Sequence, residues 1–233
     1  VCTEEVEEFA LENLDHYAPE LEIQFVESKE GGKAAGESAL CQVDEGEAGL
    51  RYRGYAIGDL AKWSRFEEVA YLLLIGHLPT RNELDSFSTL LRGHRVLPDP
   101  VQRFIDSLQP GLHPMDVLRT GISLLGLSDP DAQDGSHEAN LRKSMRLLSQ
   151  IPLLIAHSYR VMSGILPPRQ DESRDFAQHL LHLVAGHKDG ETGTAMAQAL
   201  NVSLILYAEH EFNASTFAAR VTASTLTDLH GAI

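Results

Sequence analysis

The sequence predicts an all-α domain that opens with one short β-hairpin. Helix-opening signals recur along the chain: Ser64-Arg65-Phe66-Glu67 and Thr80-Arg81-Asn82-Glu83 have capping-box form, and Asp99-Pro100 and His113-Pro114 put proline in a first turn. Behind them apolar residues return at helical spacing, as Val101, Phe104, Ile105 and Leu108 do at i, i+3, i+4 and i+7. Strand-like stretches occupy residues 38–43 and 50–57. The 233 residues are 43% hydrophobic and contain no internal repeat, low-complexity tract or obvious linker. One sizeable core accommodates them.

Taken in order, residues 1–14 read as a helix and residues 21–26 as a short strand or extended arm. Residues 38–43 and 50–57, on either side of Asp44-Glu45-Gly46-Glu47, form the hairpin. The helix opened at Ser64 closes at Gly76; the one opened at Thr80 carries Leu84, Phe87 and Leu91 to Gly93. His113-Pro114 opens a helix with Leu118, Ile122 and Leu125, ending at Asp129-Pro130. Residues 136–163 are helical, and Pro152 inside them predicts a kink or a split. Residues 173–184 are amphipathic and stop at Gly186. Residues 192–207 carry Ala195, Ala197 and Ala199, a small-residue face suited to close packing. From Ser215 a long helix runs to Asp228, and its apolar pattern continues to Ile233.

A formal net charge of −15 argues against nucleic acid and anionic membrane surfaces as partners. No apolar run approaches the roughly 20 residues of a membrane span, and no signal peptide is visible. Two cysteines, Cys2 and Cys41, give no disulfide framework; reduced thiols fit a cytoplasmic protein. The basic groups Arg51/Arg53, Arg92/Arg95 and Arg142/Lys143/Arg146 read as solvated helix or turn surface.

The richest polar cluster is Tyr207-Ala208-Glu209-His210-Glu211-Phe212-Asn213-Ala214-Ser215-Thr216-Phe217. His210 and Asn213 stand three apart at the mouth of a helix whose first amides and dipole favour an anion. They are the candidate substrate-binding residues. A helix cap, with Asn213 or Ser215 as N-cap, explains the same spacing.

This stretch resembles the oxaloacetate-binding turn of the citrate synthase family. Leu50-Arg51-Tyr52-Arg53-Gly54-Tyr55, Phe66-Glu67-Glu68-Val69-Ala70-Tyr71-Leu72-Leu73, Gly76-His77-Leu78-Pro79-Thr80 and His113-Pro114-Met115-Asp116-Val117-Leu118-Arg119-Thr120-Gly121 are similar to further family motifs in the same order. Ala39-Leu40-Cys41 and the 208–217 run most resemble the family's 2-methylcitrate synthase branch. The resemblance implies the large helical domain of that fold over residues 35–233, with residues 1–34 an unmatched acidic segment. Ala232-Ile233 is an apolar helical end with nothing to bury it, so a smaller second domain is expected beyond it.

The activity so implied condenses an acyl-CoA, propionyl or acetyl, with oxaloacetate to give 2-methylcitrate or citrate plus CoA. Citrate synthase proper is one alternative; a non-catalytic dimerisation or ligand-sensing module is the other. Acyl-CoA is a co-substrate, no cofactor is bound permanently, and a homodimer is expected through residues 192–207 and 215–233. The family's two catalytic histidines and aspartate fall after Ile233, so no catalytic residue is assigned within the chain. His230 stands where the family usually has tyrosine and reads as structural or surface. His179, His182 and His187 have partial metal-ligand spacing but no supporting motif, and read as structural.

Overall fold

A computed structural model of the chain describes residues 38–43, 49–166, 171, 173–186 and 190–233. The expectations for residues 1–14 and 21–26, the acidic segment 1–34, and His187 lie outside the described residues. The small sheet has three strands in the order β1 (Cys41–Val43), β2 (Leu50–Tyr52), β3 (Tyr55–Ala56). β1 and β2 are antiparallel with Cys41 opposite Tyr52 and Val43 opposite Leu50. The sequence predicted two strands; the third forms because Arg53 and Gly54, at φ 47 and 88, make a tight turn that reverses the chain again. Tyr52 points into the core at 0% exposure.

Helices follow: α1 (Ile57–Trp63), α2 (Phe66–Ile75), α3 (Arg81–Gly93), α4 (Asp99–Asp106), α5 (Pro114–Ser128) and α6 (His137–Met162), then α7 (Phe176–Ala185), α8 (Gly190–Tyr207), α9 (Ala214–Ser224) and α10 (Leu229–Ala232). The Thr80 capping box forms as predicted, with Glu83 Oε2 accepting from Thr80 N at 2.7 Å. The first box is shifted by one residue: Arg65 is the N-cap, and Glu68 accepts its amide at 2.8 Å. Gly76 ends α2 in the left-handed conformation, φ 107, a geometry that costs glycine nothing.

Of the kink or split expected at Pro152, the split does not occur: α6 is one helix. Buried Leu147, Leu153, Leu154 and Ala156 flank Pro152, and their packing outweighs the roughly 3 kcal/mol of an interior proline. The last helix is broken. α9 stops at Ser224, Leu226 turns at φ 68, and Asp228 starts α10 by accepting from His230 N at 2.9 Å and Gly231 N at 3.2 Å. Asp228 serves as a cap where the apolar pattern suggested a helical interior.

One apolar cluster joins the hairpin to α1, α2, α3, α7 and α8 through Tyr52, Leu60, Leu72, Phe87, Phe176 and Ile205. A second joins α4, α5 and α6 through Val101, Ile105, Ile122, Leu125 and Leu154. Among the described residues, no helix is long and apolar enough to cross a membrane.

Candidate functional site

α8 delivers the chain to a turn at residues 208–213, and α9 leaves it. Asn213 is the α9 N-cap: its Oδ1 accepts from Thr216 N at 2.8 Å and its carbonyl from Phe217 N at 2.9 Å. Its side-chain amide NH₂ makes no hydrogen bond among the described residues. His210 is exposed, and its ring likewise has no such partner. The structure thus puts both candidate residues in one turn at a helix N-terminus. It gives Asn213 a structural bond and leaves the His210 imidazole free to meet a ligand.

Residues far away in sequence hold this turn. Tyr52 Oη accepts from Glu209 N at 3.1 Å and donates to the Ile205 carbonyl at 2.9 Å. Cys41 Sγ lies 3.4 Å from Glu209 Oε1 and accepts from Glu211 N at 2.8 Å. Glu209 Oε1 accepts from the same Glu211 amide at 2.7 Å, and Glu211 Oε1 from Val43 N at 3.0 Å. Burial, with Glu209 beside it, pushes the Cys41 thiol up to about 12. Arg220 on α9 lies over the Phe212 ring, 4.8 Å from its centroid, and burial lowers its guanidinium's proton affinity. Sequence reasoning singled out none of Cys41, Tyr52, Glu209 and Arg220 for this role. The available signal was that motifs at both ends of the chain belonged to one ordered set.

The basic groups read as solvated surface are largely structural. Arg95 is 6% exposed and donates to the Arg174 carbonyl at 3.1 Å. Lys143 is 1% exposed and donates to the Asp134 carbonyl at 2.7 Å. Arg146 grips Asp129 at 2.7 Å and Asp131 at 2.6 Å, and Arg142 reaches Asp131 at 2.7 Å. Two cations pull protons off Asp131 and hold it well below the usual carboxylate range. These arginines close the α5–α6 connection, because Asp129 and Asp131 come from the loop between the helices. His230 is buried beside them, Nε2 3.5 Å from Asp129 and Nδ1 3.5 Å from Asp228. Burial outweighs both carboxylates and holds its pKa below the ordinary value. His179 and His182 are buried on the inner face of α7.

A helical domain with a short hairpin packed on one of its apolar clusters, and a histidine turn before α9, defines a class. Residues 31–233 match the family model described as citrate synthase, C-terminal domain, and the chain belongs to the citrate synthase family. A 2-methylcitrate synthase of Shewanella oneidensis is 43% identical over 203 residues, covering 87% of this chain and 52% of the relative. Citrate synthase from Pyrobaculum aerophilum superposes with a TM-score of 0.78 at 29% identity, over 91% of this chain and 56% of the other. Citrate synthase from Thermoplasma acidophilum, in a ternary complex with carboxymethyl coenzyme A and oxaloacetate, superposes with a TM-score of 0.73 at 26% identity, over 84% of this chain and 50% of the other. The chain spans about half the length of the curated relatives it matches.

Proposed function

We propose that this chain is the oxaloacetate-binding large helical domain of an acyltransferase that condenses an acyl-CoA with oxaloacetate. Propionyl-CoA is the donor favoured by the 43% identity to a 2-methylcitrate synthase, and the product is then 2-methylcitrate plus CoA. Citrate synthase proper, using acetyl-CoA, is the nearest alternative. The two donors differ by one methyl group, worth only about 1–3 kcal/mol in a pocket.

The observation that carries the reading is the exposed His210 ring on a turn braced by the hairpin, in a chain of this family. His210 donates to an oxaloacetate carboxylate or carbonyl, and Asn213 uses its remaining amide hydrogens on the same ligand. The α9 N-terminus adds a favourable dipole for the bound anion. A dicarboxylate then binds an acidic protein through local groups, because the overall field of a −15 chain repels it. Condensation itself needs a base at the acyl α-carbon and donors at two developing oxyanions.

The acyl-CoA is a co-substrate and no cofactor stays bound. The working protein is a cytoplasmic homodimer, with α8, α9 and α10 at the interface. Exposed Phe217, Leu226 and Ile233 supply apolar surface there.

The test uses the full-length protein, following thiol release from propionyl-CoA and acetyl-CoA with oxaloacetate. Replacing His210 by Ala should raise the oxaloacetate KM about 10- to 100-fold, as expected for losing a hydrogen bond to a charged group. An unchanged KM and kcat would remove His210 from the site.

A further inference from the structure

We propose that Glu209 and Cys41 are positioning residues: together they hold Glu211 in a left-handed conformation and so fix the peptide that presents His210. The inference rests on the function proposed above and deepens it.

Glu211 has φ 70, a value that a residue with a Cβ seldom adopts without support. Its amide is held by two acceptors at once, Glu209 Oε1 at 2.7 Å and Cys41 Sγ at 2.8 Å. The thiol closes the triangle by donating to Glu209 Oε1 at 3.4 Å. A thiol pushed up to about 12 keeps that proton at every pH of ordinary work. The backbone of Glu209 is tied separately to Tyr52 Oη, and the Glu211 carboxylate to Val43 N.

Both neighbours of His210 are therefore anchored to the hairpin, while the His210 ring itself is exposed and unbonded among the described residues. A surface turn with no task would gain nothing from strain at its fourth residue, Glu211. Here the strain sets the direction of the peptide planes on either side of His210.

Three variants of the full-length protein test this: Glu209→Ala, Glu209→Gln, and Glu209→Ala combined with Glu211→Gly. Oxaloacetate binding is read from the His210 ring resonance during titration, and turnover by thiol release. Glu209→Ala should weaken oxaloacetate about tenfold while leaving the acyl-CoA KM in place. Glu209→Gln keeps the acceptor oxygen and should stay within about threefold of the parent. The double variant should recover part of the loss: glycine enters the left-handed conformation without steric cost, while the Glu211 carboxylate bond to Val43 N is given up.

Equal weakening toward both substrates would overturn the inference, as would a Glu209→Ala variant that binds oxaloacetate normally. Failure of Glu211→Gly to restore binding would do the same. A parent protein that neither binds nor condenses oxaloacetate would instead sink the proposed function itself, and this inference with it.

Discussion

His179 is 3% exposed, and neither ring nitrogen has a hydrogen-bond partner among the described residues. Burial first, then the nearby Arg95 and His182, lower its pKa to about 4. Because that is below the ordinary value of about 6.5, the unfolded chain takes up a proton that the folded chain refuses. The contribution to stability is therefore complete above pH ~6.5 and is lost as pH falls toward 4. Denaturant midpoints measured across this window should fall with pH, and His179→Leu should flatten that fall by up to one proton. An unaltered slope would contradict the assignment. His94, His157 and His230 shift in the same direction and add to the fall. The amphipathic pattern of residues 173–184 already put His179 and His182 on one face. Burial deep enough to strip the ring of partners comes from α6 and α8, so it could not be read locally.

Between elements, single residues do what the local pattern does not announce. Asn201 on α8 accepts from Phe66 N at 2.8 Å and donates to the Ser64 carbonyl at 3.2 Å, capping α2 across 135 residues of sequence. Glu67 accepts from Phe176 N at 2.6 Å and does the same for α7. Helix starts at Ser64 and Ser173 were legible to within a few residues, but their remote caps were not. This explains why the predicted Ser64 box sits one residue further on. Close approach between helices was equally hidden. A Cβ on Gly121 of α5 would stand 2.5 Å from Leu154 Cδ1 of α6, a side chain with 0% exposure. Gly121→Ala gains about 1 kcal/mol in helix propensity and loses about 1–3 kcal/mol to overpacking. The expected net result is destabilisation of roughly 1 kcal/mol, measured by urea unfolding. Adding Leu154→Ala should cost less than the sum of the two single changes, since each relieves the other. Strict additivity would show that α5 shifts away freely.

At the scale of the whole molecule, stability and the candidate site are unevenly distributed. α6 reaches into both apolar clusters and buries residues along its full length, whereas Ser224 is the one fully buried residue of α9. The broad architecture was legible because it follows from hydrophobic period and cap signals, which act within a few turns of chain. The bracing of the site was not, since Cys41 meets Glu211 across 170 residues and only the folded hairpin brings them together. Local opening follows contact density, so α9 should be among the first helices to exchange amide hydrogens. Amides of α9 should exchange at least about tenfold faster than those in the middle of α6, a difference of about 1.4 kcal/mol in opening free energy. The turn at residues 208–213 should be better protected than α9, because its Glu209 and Glu211 amides bind Tyr52, Cys41 and a carboxylate. Oxaloacetate, if it docks on His210 and the α9 N-terminus, must order α9 and slow its exchange while leaving α6 unchanged. Uniform slowing across the molecule would point to general stabilisation. Protection confined to another surface would move the ligand away from this turn.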